Sequence, residues 1–243
     1  MFESTLPAEG SLNLMHVSDF HPDGGTDADA VDAGSTQLSA LNPSLLQDLL
    51  RFGPQGQTPA PQARSEGLDP LEVLAASLRH ARTLLIHLQL DYRVIPLTAM
   101  PGSRQMLCPL PLSLLLGLRL PDLRVIRVEP APAPKPDTGE LAPQPLGPLL
   151  WELALRGARG TLLPEIAGVA SYRVSPGADL TEINLSGSLS HAVMRLSLQT
   201  VPLREIAAWP GFDSDRAQRL LNALYLQSAL IVSRSHPGAV SGL

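Results

Sequence analysis

The segment around Asp19 holds residue types that could do metal chemistry. Residues 14–21 read Leu-Met-His-Val-Ser-Asp-Phe-His, which places Asp19 and His21 two positions apart after a short apolar run. Two metal ions that hold a phosphate and a hydroxide must share several carboxylate, imidazole and amide ligands. The spacing therefore makes a two-metal centre the first chemistry to test.

This motif resembles the first motif of the calcineurin-like metallophosphoesterases, in which a strand delivers an Asp-x-His pair to the metals. The resemblance implies further ligands from Gly-Asp, Gly-Asn-His and Gly-His-x-His segments, and the sequence contains none of these. His80 and His87 are seven residues apart but fall on different predicted elements, and a zinc site would need two more ligands. We predict no metal site and no cofactor, with the phosphoesterase as the weaker alternative.

Other catalytic patterns are also missing from the sequence. The only cysteine, Cys108, lies between apolar neighbours, which favours a buried thiol over a nucleophile. No phosphate-binding glycine motif and no Gly-x-Ser-x-Gly turn occurs. Because no acid, base, nucleophile and metal set comes together, we predict that the chain is not an enzyme and has no small-molecule substrate.

Composition bounds the partners. The 243 residues carry a net charge of -5, and such a mildly acidic chain is a poor general binder of nucleic acid unless one local face is basic. The longest apolar run, residues 110–118, is too short to span a bilayer, and the N-terminus does not resemble a secretory signal. These features predict a cytoplasmic protein without membrane contact.

The first 67 residues are predicted to be a largely disordered, flexible acidic tail. Residues 42–52 interrupt it with the pattern of a short amphipathic helix, and residues 53–67 have the Pro, Gly and Gln content of a linker. That helix either packs on the next domain or docks elsewhere, and we favour packing. The acidic residues before position 40 are Glu3, Glu9, Asp19, Asp23, Asp27, Asp29 and Asp32.

Residues 68–129 predict a small domain of mixed helix and strand. Asp69 and Pro70 begin a helix, and residues 84–90 alternate as a strand does. Further strands are predicted over 93–99, 105–108 and 123–128, with a short helix over 111–116. Residues 130–145, rich in Pro and Ala, predict an extended linker.

Residues 146–243 predict a mainly helical domain, so that the whole chain belongs to the α+β class. Helical spacing covers residues 146–156, a short strand follows over 170–174, and three short helical patterns lie between 188 and 234. Ser188 or Ser190 is predicted to cap the first of these three helices, and Asp213 or Ser214 the third. Apolar contacts of the first are assigned to Leu189, Val193, Leu196 and Leu198.

The order of elements over 188–234, ending in the apolar strand Leu230-Ile231-Val232, resembles the winged helix-turn-helix superfamily. In its DNA-binding members the third helix enters the major groove. The resemblance implies that the outward residues of that helix are Asp215, Arg216, Gln218, Arg219 and Asn222. Of these, Gln218, Arg219 and Asn222 would read base edges. Arg204 and Arg234 would then contact phosphates.

Two features favour protein docking over DNA reading. Asp213 and Asp215 would lie near phosphate at the start of the third helix, and little chain follows Arg234 to complete a wing. We therefore predict a non-enzymatic regulatory or adaptor protein that binds a protein partner through its winged-helix-like domain. The alternative is a DNA-binding transcriptional regulator that uses the third helix.

Overall fold

The computed structural model describes residues 67–131 and 141–234, together with the backbone of residues 15–16. It confirms the predicted α+β class, since helices and antiparallel sheets occur in the same chain. The predicted tail before residue 67, the helix over 42–52 and the Asp19–His21 motif lie outside the described residues. Among the described helices, none combines the length and apolar character that crossing a membrane requires.

The first sheet is antiparallel, and β3 pairs with three strands. The order of the strands is β5-β2-β3-β4-β6. The sixth strand, β1, pairs with the N-terminal end of β3. The predicted linker over 130–145 thus has strand residues at both of its ends. The strands are β1 (Met15–His16), β2 (Leu84–Leu90), β3 (Arg93–Met100), β4 (Gln105–Leu107), β5 (Arg124–Pro130) and β6 (Gln144–Pro145).

The β2–β3 hairpin follows from its sequence. In β2, Leu84, Ile86 and Leu88 are buried and alternate with partly exposed residues, as a strand with one face on a core requires. The whole of β2 pairs with residues 93–99 of β3, and Asp91 takes a left-handed conformation with φ of 52°. Asp adopts this conformation more readily than most residues, which suits a tight turn.

Three helices cover the core face: α1 (Pro70–His80), α2 (Leu112–Leu116) and α3 (Gly147–Arg156). The predicted start of α1 is confirmed, because Asp69 Oδ1 accepts a hydrogen bond of 3.0 Å from the Leu71 N–H. Helix α3 ends before Gly157, whose N–H donates to the carbonyl of Leu153 at 2.8 Å. Trp151 of α3 is buried with 1% of its surface exposed.

The last part of the chain contains α4 (Gly187–Leu198), α5 (Leu203–Ala207) and α6 (Ser214–Leu226). A second antiparallel sheet consists of β7 (Ser171–Val174), β8 (Val201–Pro202) and β9 (Leu230–Ser233), in the order β8-β7-β9. The middle strand, β7, therefore precedes all three helices in the chain.

One hydrophobic cluster joins the buried residues on both sides of the predicted linker. Helix α3 is central to it, since it contacts α1 and α2 on one side and α6 on the other. The predicted domain division stays a prediction, and the two segments that it separates share this core.

Candidate interaction surface

The residues predicted to read DNA from the third helix contact the chain itself. Arg219 of α6 binds Asp215 through its Nε at 2.6 Å, and its Nη1 donates to the carbonyl of Gly157 at 2.9 Å. A second carbonyl, that of Leu155, lies at 3.4 Å from the same nitrogen. The guanidinium thus satisfies carbonyls at the C-terminal end of α3, where a helix has unpaired acceptors and a negative dipole.

Asn222 was predicted to face outward, and this prediction is wrong. The residue has no exposed surface. Its Oδ1 accepts from the Leu163 N–H at 2.8 Å, and its Nδ2 donates to the carbonyl of Thr161 at 2.9 Å. Gln218 contributes one more such bond, since its Oε1 accepts from the Leu162 N–H at 3.2 Å. The segment that follows α3 therefore covers this face of α6, which the helix spacing alone does not show.

Arg216 and Arg234 also make hydrogen bonds to backbone carbonyls. Arg216 is exposed, and its Nη1 donates to the carbonyl of Gly211 at 2.7 Å. Arg234 follows β9 and donates to the carbonyls of Ala167 at 2.9 Å and Glu165 at 3.1 Å. Arg204 is exposed on α5. The structure brings Arg216, Gln218, Arg219 and Asn222 onto one helix, but they bond different segments. Gln218 and Asn222 bond residues 161–163, Arg219 bonds the end of α3, and Arg216 bonds Gly211.

The caps of the helices differ in one respect from the prediction. Asp213 caps α6 as predicted, since its Oδ1 accepts from the Arg216 N–H at 2.7 Å. Helix α4 instead begins at Gly187, so neither Ser188 nor Ser190 caps it. The Ser188 hydroxyl accepts from Arg216 Nη2 at 2.8 Å and so ties the start of α4 to the start of α6.

An apolar groove lies between α4 and the turn that precedes α6. We call it the α4 groove; its volume is about 390 Å³. Its walls include Ser188, His191 and Arg195 of α4 and Trp209, Pro210 and Phe212 of the turn.

Two arginines lie over the aromatic rings on one side of this groove. The guanidinium of Arg195 lies 4.6 Å from the centre of the Trp209 ring, and that of Arg216 lies 5.2 Å from the Phe212 ring. The two rings meet edge to face, with centroids 6.4 Å apart. Cations favour these positions because the ring face carries negative charge, and the edge-to-face geometry is favourable for the same reason.

Helix α4 also presents exposed apolar side chains next to the groove. Met194 is 61% exposed and Leu198 is 78% exposed. The prediction that Leu198 supplies an apolar contact to the core is wrong. Leu196 is buried, as predicted, and Leu198 lies on the opposite side of the helix. His191, Met194, Arg195 and Leu198 share this outer side, which we call the α4 face.

Two observations on the described part of the chain bear on catalysis. No group of three or more His, Cys, Asp or Glu residues among the described residues could hold a metal ion. Cys108 is 3% exposed, and burial raises the pKa of its thiol, which favours the unreactive protonated form.

Comparison with known proteins does not add a functional assignment. No protein-family model, no curated protein and no solved structure matches this chain. The geometry of the described residues is therefore the basis for assigning a function.

Sequence reasoning missed the α4 groove and had part of the signal for it. Trp209 and Phe212 lie in the turn between α5 and α6, and a turn in sequence does not show what packs beside it. The α4 face could have been predicted from the sequence. Met194 and Leu198 are four residues apart and therefore fall together on one side of a helix, away from Val193 and Leu196.

Proposed function

We propose that the chain is a non-enzymatic adaptor or regulatory protein that binds a protein partner on the α4 face and in the α4 groove. The observation that carries this proposal is the different use of two helices. Helix α6 spends Arg219, Gln218 and Asn222 on the chain's own backbone, whereas α4 leaves Met194 and Leu198 exposed beside an apolar groove. Exposed apolar surface of this kind is typical of protein interaction sites.

The arrangement of α4, β8, α5, α6 and β9 supports the winged-helix resemblance as part of this proposal. Helix, strand, helix, helix and strand follow in that order, and the strands belong to one three-stranded sheet. The remaining strand of this sheet is β7. In the chain it precedes α4, whereas a return strand would follow β9. We therefore propose a winged-helix-like module in which the usual return strand is supplied from upstream.

The partner that fits best has an apolar anchor flanked by carboxylates. The groove supplies the apolar surface of Trp209, Pro210 and Phe212, and Arg195 and Arg216 place two cations at that surface. Buried aromatic and arginine side chains carry much of the binding energy in protein interfaces. Rim charges of opposite sign would orient the partner and speed its association.

Site-specific photo-cross-linking in living cells that express the protein tests this proposal. A photoreactive residue at Met194 is expected to give one adduct of defined mass that contains a second protein, and Leu198→Asp is expected to abolish it. The matched control places the same residue at Arg119, whose side chain is 83% exposed on another surface. Equal labelling from both positions, or no adduct from Met194, would contradict the proposal.

The DNA-binding regulator is the weaker proposal, because α6 has few groups left to read bases. A nucleic-acid adduct from Met194, together with salt-dependent retention on DNA that Arg204→Ala weakens, would favour it instead. An adduct between two copies of the chain would replace the adaptor with a self-associating module.

A further inference from the structure

A second apolar groove lies at the end of the first sheet. It has a volume of about 630 Å³ and is bounded by the β2–β3 turn, Leu90–Arg93, and by α2. Ile95 and Leu110 line it, and Leu114 on its rim is 53% exposed. We call it the hairpin groove.

Both ends of the undescribed segment 17–66 return to this end of the sheet. At one end, β1 pairs with the start of β3, so that His16 lies opposite Arg93, a residue of the groove. At the other end, Leu68 bridges Val125 on β5. The chain therefore leaves and re-enters the described structure on either side of the hairpin groove.

One row of residues across the sheet measures how close the second end is. Leu68 pairs with Val125, Val125 with Leu88, and Leu88 with Ile95, which lines the groove. Neighbouring strands are about 4.8 Å apart, so Leu68 is roughly 14 Å from Ile95. Residues 53–66, with the composition of a linker, would span about 20 Å even as a random chain, which is enough to reach the groove.

Residues 42–52 carry the apolar stripe that such a groove would bind. The segment reads Asn-Pro-Ser-Leu-Leu-Gln-Asp-Leu-Leu-Arg-Phe, with Asn42 and Pro43 suited to a helix start. Its leucines recur at helical spacing, whereas Gln47, Asp48 and Arg51 fall on the other side. The apolar stripe consists of the leucine stripe Leu45, Leu46, Leu49 and Leu50, which Phe52 continues.

We infer that residues 42–52 of this chain bind as a helix in the hairpin groove, with the leucine stripe against Leu114 and Leu118. The short connection to Leu68 gives the segment an effective concentration on the order of millimolar at the groove, so a small apolar contact suffices.

Cysteine cross-linking in the full chain tests this inference. Leu114→Cys, in a Cys108→Ala background, is combined with single cysteines at each of positions 45 to 51. Oxidation is expected to give intramolecular disulfides at least five-fold faster from positions 45, 46, 49 and 50 than from 47, 48 and 51. Arg119→Cys replaces Leu114→Cys as the control and should show no such periodicity.

Three outcomes would overturn the inference. These are equal rates along the segment, rates as high with the Arg119→Cys control, and disulfides only between two copies of the chain. The last result would assign the groove to a second copy.

Hydrogen exchange gives an independent measurement without new cysteines. Leu46→Asp with Leu49→Asp is expected to raise exchange several-fold in residues 90–95 and 110–118, whereas Asp48→Lys on the other side of the segment should not. Unchanged exchange in the double variant would contradict docking at this groove.

Discussion

The side-chain amide of Asn222 holds the backbone of Leu163, a residue far from it in sequence, through a hydrogen bond of 2.8 Å in the buried interior. This bond joins the third helix of the C-terminal segment to the chain that leaves α3. Asn222 therefore acts as a structural anchor between two segments of the chain and is not available to bind a ligand. The stability of the whole molecule should depend on this anchor.

Asn222→Ala is expected to lower the free energy of unfolding by about 2 kcal/mol, because the buried Leu163 N–H loses its acceptor. Urea denaturation followed by circular dichroism measures the change. Gln218→Ala is the matched control on the same helix. Its side chain is partly exposed, so water replaces the lost bond and the cost should be less than half as large. Similar stability of Asn222→Ala and the parent protein would contradict the anchor role.

Arg195→Ala is expected to loosen the aromatic side of the α4 groove. Trp209 is only 7% exposed, and the Arg195 guanidinium lies over its ring. Its loss should shift tryptophan emission to longer wavelength, increase quenching by acrylamide and cost about 0.5–1 kcal/mol of stability.

Trp151 is buried and supplies a constant background in this measurement. Arg119→Ala removes an exposed arginine elsewhere and should leave the emission spectrum unchanged. If Arg195→Ala also leaves it unchanged, the contact between Arg195 and Trp209 does not shield the ring in solution.

His87 is expected to make the stability of the protein depend on pH. Burial lowers the pKa of this histidine, and nearby Arg127 lowers it further, while Glu129 acts in the opposite direction. The unfolded chain therefore takes up a proton at higher pH than the folded chain. The free energy of unfolding should fall as the pH drops below about 6.5, the ordinary histidine pKa, and level off below the folded pKa.

His87→Gln removes this titration and should show a shallower loss of stability between pH 7 and 5. Denaturation midpoints of both proteins across that range provide the test, with the other histidines common to both. Equal slopes would show that His87 has the same pKa in the folded and unfolded states.

Local patterns predicted the elements of the fold well. The alternation in β2 and the Asp69–Pro70 start of α1 depend on neighbours in sequence, so the structure confirms both. The strand β6 was missed because its two residues, Gln144 and Pro145, have no pattern of their own and form a strand only by pairing with β4.

The candidate site could be predicted only in part. Which side of α6 is covered depends on the segment after α3, and nothing near Asn222 in sequence reports this contact. The exposure of Leu198, by contrast, follows from helix geometry once α4 is placed between residues 187 and 198. The first error concerns tertiary packing, and the second concerns the assignment of sides on a single helix.

The position of β7 in the middle of its sheet has a consequence for biosynthesis. Ser171 pairs with Pro202 on one side and with Ser233 on the other. A ribosome that has made β7 must still add α4 and β8 before one edge of β7 is covered, and α5, α6 and β9 before the other edge is covered. During that interval the nascent strand displays open edges, which are prone to pair with other chains. Synthesis that stalls within this stretch should therefore yield chains that aggregate, a hazard that a return strand placed last would avoid.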